Sequence, residues 1–188
     1  MSLLNSNAKQ NNPVRFAVIF LALFLLFYYF NIWFFREINP GPHYVALLAT
    51  KLNYIQGLRQ LLFFCTSALL KCFGYSVVYN DYDLLVAGHS TIQVQYDCLG
   101  LGVLSFYAAF VIAYPKPLKS KLMAFFIGIF GIQFLNILRF AILALFGNNA
   151  NRLIDHHTLF NIVIYVLIIA GLYFWIKPDL EKATNAKN

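Results

Sequence analysis

Between Leu122 and Phe146 the chain carries one charged side chain, Arg139, in a run otherwise built of apolar, small and amide residues. As a helix rising about 1.5 Å per residue, such a run can cross a hydrocarbon core about 30 Å thick. Within "FLNILRFAILALF" no carboxylate is present to pair with the guanidinium. Three other runs have the same character: Phe16–Phe35, 98–114 and 157–176. Of the 188 residues 61% are hydrophobic and 11% charged, with 20 Phe and 12 Tyr. A soluble domain of this length could not hide so much apolar surface. The expected fold is an all-α polytopic membrane protein with four transmembrane helices. Lys9 and Arg15 before the first run resemble a signal peptide, but "FNIWFFREINP" offers no small-x-small cleavage site, so an uncleaved signal anchor is expected.

The formal charge of +7 suits such a protein, because Lys and Arg flank spans on the cytoplasmic side. Basic clusters here therefore do not point to nucleic acid. "YPKPLKSK" places Lys116, Lys119 and Lys121 in one short loop, and Lys177 follows the last run; both segments are expected in the cytoplasm. "GNNANRLIDHH" and the residues before Cys98 then lie outside, with Arg152 the one basic residue against the rule. Residues 1–15 and 177–188 read as cytoplasmic tails around a single integral membrane domain, 16–176. Within it, 43–75 carries Lys51, Arg59 and Lys71, and its longest uncharged run, Gln60–Leu70, is too short to span. Interfacial amphipathic helices or a re-entrant pair are expected there, two short tilted crossings being the alternative. Over 77–97, Ile92, Val94 and Tyr96 alternate with Thr91, Gln93 and Gln95 after a turn signal at Gly88. That pattern predicts a small extracytoplasmic β-hairpin.

Helical rise estimates depth. Lys121 to Arg139 spans about 27 Å, Pro115 back to Cys98 about 26 Å, and Lys177 back to His157 about 30 Å. Three residues able to do chemistry thus come out near one outer interface. Asp97 is expected to cap the following helix, leaving Cys98 in its first turn, where the helix dipole and a guanidinium favour the thiolate. Asn136, three residues before Arg139, shares its face and is expected to orient the guanidinium. His157 can move a proton at neutral pH. Gly100 and Gly102 leave the backbone beside the thiol open to an extended peptide. Taken singly, each residue has a plainer role: a cysteine as apolar filler, an arginine snorkelling to head groups, His156 and His157 as interface residues. Cys65 and Cys72 are read as filler, and Lys71 as a snorkelling anchor. Three cysteines at these spacings suggest neither a disulfide framework nor a zinc site.

"DCLGL" at 97–101, "NILRF" at 136–140 and "DHHTLFN" at 155–161, in that order on successive helices, resemble the exosortase/archaeosortase family. The resemblance covers about residues 75–176. It implies a multi-pass membrane cysteine protease or transpeptidase with a Cys, Arg and His triad, which cleaves a C-terminal sorting signal of exported proteins and transfers the new carboxyl end. Cys98 then matches the nucleophile, Arg139 the arginine of Asn-x-x-Arg, and His157 the histidine four residues before a small residue, here Asn161. His156 offers a competing assignment. Leu99 stands where the family usually has a small polar residue, and Asn161 where familiar members have Gly. The resemblance calls for no metal or organic cofactor. It implies substrates with a transmembrane tail that arrive through the membrane lipid, in the cytoplasmic membrane of a prokaryote with the site on its outer side. The competing class is a small transporter or non-catalytic subunit, with Arg139 binding an anionic lipid or substrate and Cys98 inert.

Overall fold

The computed structural model describes residues 13–147 and 156–185; in the last helix, side chains are described for 162–178. The protein is mostly helical, and the chain divides into two compact units between Asn149 and Ala150. The first unit holds α1 (Pro13–Ile38), α2 (Ala46–Lys51), α3 (Tyr54–Cys72), strands β1 (Val77–Tyr79), β2 (Asp83–Val86) and β3 (Thr91–Gln93), a 3-10 turn (Tyr96–Leu99), α4 (Leu101–Ala113) and α5 (Leu118–Phe146). The second holds α6 (His156–Asn185).

Among the described residues, α1 and α5 are the two helices long and apolar enough to cross a membrane, while α4 and the Ile162–Pro178 stretch of α6 are shorter apolar helices. The run 98–114 was expected to be helical throughout. Instead α4 begins at Leu101 and ends at Ala113, because Gly100 takes a left-handed conformation (φ 71°) and Tyr114 is extended ahead of Pro115. Pro disfavours helical geometry in the residue before it, which accounts for the C-terminal stop.

An aromatic seam joins α1 to α4. Phe16 meets Phe110 edge-on at 5.4 Å, and Phe20 meets Phe106 in the same way at 5.3 Å. These quadrupole-favoured contacts fix the pair in register. The Nδ2 of Asn31 adds a hydrogen bond to the Ser105 hydroxyl at 3.1 Å, a polar lock between the apolar stretches of the two helices.

Within residues 43–75 the chain forms the helices α2 and α3. Asn53 caps α3 by accepting from the Gln56 amide at 2.9 Å. Its buried residues, Ile55, Arg59, Leu62, Phe63, Thr66, Ser67 and Leu70, recur at helical spacing along one face. That face packs on α5, with Phe63 against Phe140 at 6.3 Å.

The expected hairpin over 77–97 is a three-stranded antiparallel sheet in the order β1-β2-β3, with Val78 opposite Leu85 and Leu84 opposite Ile92. Gly88 turns the chain at φ 78°. Beside this turn, the Ser90 hydroxyl bonds the carbonyls of Leu143 and Ala144 at 3.1 and 2.8 Å, and the His89 ring meets that of Leu145 at 3.1 Å. The last carbonyls of a helix have no partner within it, so the sheet satisfies the C-terminal end of α5 and is anchored there.

Candidate active site

Cys98 lies in the 3-10 turn, its amide bonded to the Gln95 carbonyl at 3.1 Å. The turn is pinned by its apolar residues: Leu99 is buried in the core and Tyr96 packs on Phe35 with centroids 4.4 Å apart. Cys98 itself is half-buried. Asp97 was expected to cap the next helix and does not. It sits inside the 3-10 turn, and the cap position of α4 falls to Gly100. Cys98 consequently precedes α4 instead of occupying its first turn.

Arg139 and Asn136 come to this turn from α5, three residues apart on one face. Arg139 is 2% exposed and Asn136 1%. Arg139 Nη2 donates to the carbonyl oxygen of Cys98, and Asn136 Nδ2 donates to that of Leu99 at 3.4 Å and to Gln133 Oε1 at 3.1 Å. Asn136 thus holds the neighbouring carbonyl, where it was expected to orient the guanidinium. Together the pair clamp two consecutive peptide groups of the cysteine turn.

Gly100 has a role other than the one expected. A Cβ built there would lie 2.9 Å from Asn136 Nδ2, in a backbone conformation that L side chains seldom adopt. Glycine therefore admits both the left-handed turn and the close approach of the asparagine. A Cβ at Gly102 would make ordinary contact with the Tyr28 ring at 3.7 Å.

The Tyr96 phenol is pushed up to about 12, first by burial and then by the neighbouring Tyr54, Tyr28 and Asp97. Among these, Tyr54 donates to Asn31 Oδ1 at 2.5 Å, which ties the turn's surroundings to the Asn31–Ser105 lock.

His156, the competing histidine, and His157 and Asn161 fall on backbone that is helical from His156 onward, but their side chains lie outside the described residues. The structure therefore brings together Cys98, Arg139, Asn136 and Gly100, all within the first unit. Cys65 and Cys72 lie elsewhere, on α3, half-buried and exposed respectively.

One residue was missed by reading the sequence. Arg59 is 4% exposed on a helix that contains no carboxylate. Half of the signal that singled out Arg139, a helix without a carboxylate, was present for Arg59 as well.

The spacing of this site agrees with a wider match: the family model for transmembrane exosortase (Exosortase_EpsH) matches residues 13–175. The chain belongs to the transmembrane exosortase family. The matched range takes in α1, the sheet, the Cys98 turn, Arg139 and α6 as far as Trp175, so the resemblance carried by the three short motifs extends over nearly the whole chain. Membership also supports the reading of the apolar helices as membrane helices. No curated protein and no solved structure matches the chain.

Proposed function

We propose that this exosortase-family protein is a membrane cysteine peptidase or transpeptidase that cleaves the C-terminal sorting signal of exported proteins at the outer face of the cytoplasmic membrane. The observation that carries the reading is a guanidinium buried within an apolar helix and hydrogen-bonded to the turn of the half-buried Cys98. Placing a charge there is costly unless it is used. Family membership supplies the reaction class.

In this mechanism the Cys98 sulfur attacks a substrate carbonyl, and His157 gives a proton to the departing amine as the C–N bond breaks. Arg139 stabilises the oxyanion. A guanidinium carries five N–H groups, so one side chain can hold the turn and still meet the reacting oxygen. An amine acceptor or water then resolves the thioester. Substrates bearing a transmembrane tail reach the site by diffusing in the bilayer.

The family pattern supports His157 over His156, because His157 stands four residues before Asn161. Four spans, with Lys116–Lys121 and the C-terminus in the cytoplasm, complete the proposal. Reporter fusions at Lys119 and Asn149 that report the same side would remove it.

The direct test is processing of a co-expressed exported substrate. Cys98→Ala, Cys98→Ser and Arg139→Ala are each expected to abolish it in protein that remains inserted, whereas Cys65→Ala and Cys72→Ala process normally. A serine alkoxide is much harder to generate at neutral pH than a thiolate. Full processing by Cys98→Ala would eliminate the peptidase reading.

A further inference from the structure

Both ends of α3 are tied to the same side of the helices it packs on. α1 runs antiparallel to α4, since Phe16 meets Phe110 and Tyr28 approaches Gly102. α4 runs antiparallel to α5, because the Tyr107 hydroxyl donates to the Ala124 carbonyl at 2.7 Å while Asn136 reaches Leu99. The C-terminal ends of α1 and α5 therefore emerge together. At the start of α3, Tyr54 donates to Asn31 and packs on Phe34 with centroids 4.5 Å apart, one turn short of the end of α1. Just past its end, the Tyr75 ring meets His89 at 5.3 Å, and His89 bonds the Leu145 carbonyl in the last turn of α5. A helix of 19 residues, about 28 Å long, with both ends held on one side does not cross to the other.

Its depth is set by α5. Phe63 packs on Phe140, about 9 Å along the helix before its last residue, Phe146. So α3 lies beside the terminal turns of an apolar helix long enough to cross a membrane. On either side of this level α5 exposes Phe134 and Ile142.

The outward side of α3 suits the same surroundings. Opposite its buried face, Tyr54, Gly57, Leu61, Phe64 and Ala68 follow at spacings of three and four and are exposed, Leu61 by 57% and Phe64 by 61%. A helix that faces water carries its polar residues opposite the core. Here they stand to one side: Gln56 and Gln60 donate to the Asp81 and Asn80 carbonyls at 3.1 and 3.2 Å, toward the sheet. Tyr54 and Lys71 bound the apolar stripe, and both residue types favour the level of the head groups.

We infer that α3 is an in-plane membrane helix whose Leu61–Phe64 face is seated on the acyl chains of the leaflet into which α1 and α5 emerge, the outer leaflet in the proposed topology. Through Gln56 and Gln60 it holds the β1–β2 turn on its polar side, away from those chains. The placement does not depend on peptidase activity.

The test uses nitroxide labels, one at a time, at positions 57, 61, 64 and 68 of the full chain with Cys65, Cys72 and Cys98 replaced by Ala, in phosphatidylcholine liposomes. Labels at 61 and 64 are expected to collide more with oxygen than with a water-soluble nickel chelate, and a label at Gln60 to show the reverse. The four depths should agree within about 5 Å, whereas a crossing helix would spread them over about 16 Å. Nickel collisions prevailing at 61 and 64 would place the stripe in water. Few collisions with either reagent would show it covered by protein, such as a second copy. Either result, or the 16 Å spread, would overturn the inference. The unmodified chain gives a check free of substitutions: in liposomes carrying a diazirine in the acyl chain, photolysis should label the tryptic peptide Gln60–Lys71. Its absence from the labelled peptides, with α1 labelled in the same sample, would also overturn the inference.

Discussion

Arg139 donates to the backbone carbonyl of Cys98 across 41 residues of sequence. The bond joins a residue buried in a long apolar helix to a turn that precedes a shorter one, so the position of the thiol depends on how α4 and α5 pack. Because the guanidinium holds the turn that carries the thiol, its loss should alter both the geometry and the reactivity of Cys98.

Thiol alkylation separates those effects. In a Cys65→Ala, Cys72→Ala background, Arg139→Ala should slow iodoacetamide labelling of Cys98 by about tenfold at neutral pH, since the thiolate is the reacting species. Arg139→Lys should label at an intermediate rate yet fail to process substrate, because lysine lacks the fork that can hold turn and oxyanion together. An unchanged labelling rate in Arg139→Ala would show that the charge does not act on the sulfur.

Gly100→Ala should destabilise the folded protein by more than about 1 kcal/mol, the typical penalty for a left-handed non-glycine residue, with added cost from the clash with Asn136. Combining it with Asn136→Ala should relieve only the steric part, so the double mutant will be less destabilised than the sum. Thermal unfolding in detergent of the four proteins in the cycle measures this. Strict additivity would mean that the 2.9 Å approach is accommodated by movement elsewhere.

Alkaline pH should act through Tyr96. Its phenol rises from 10.0 to about 12 on folding, so the folded state holds the proton more tightly than the unfolded chain. The associated stability is intact below pH 10 and is lost as pH rises through about 12. Tyr96→Phe keeps the ring packed on Phe35 but removes the titrating group. Its melting temperature should therefore fall less steeply than that of the wild type between pH 10 and 12. Parallel curves would show that Tyr96 is hydrated in the folded protein.

The two histidines make opposite predictions. His157→Ala is expected to abolish processing and His156→Ala only to reduce it, as measured with both purified variants in detergent. A reversed ranking would transfer the general acid to His156 and leave the Cys98–Arg139 pair unaffected.

Much of this site is legible in the amino-acid sequence alone. An arginine without a carboxylate in an apolar run demands a partner, and counting helical rise finds Cys98 at a matching depth. The count assumed, however, that residues 98–114 form one helix. A left-handed glycine is not distinguishable in sequence from one that merely leaves space, so the 3-10 turn, the start of α4 at Leu101 and the cap at Gly100 could not be read. Strand β1 was missed for a different reason: three residues, Val77–Tyr79, are too few to show a period, and the strand exists because β2 pairs with it. Arg59 was overlooked because its surroundings carry other charges, which made an interface the simpler reading. Only tertiary packing shows which of those charges is turned inward.

The long separation between Cys98 and Arg139 also has a consequence for biosynthesis. The ribosome makes the cysteine first, and its guanidinium partner follows 41 residues later. Until α5 has entered the bilayer and folded back on α4, the nascent chain carries an ordinary thiol with no charged neighbour from that helix. For the proposed peptidase, activation would thereby be deferred to the last stages of assembly, and an incompletely inserted chain would not attack the secretory traffic around it.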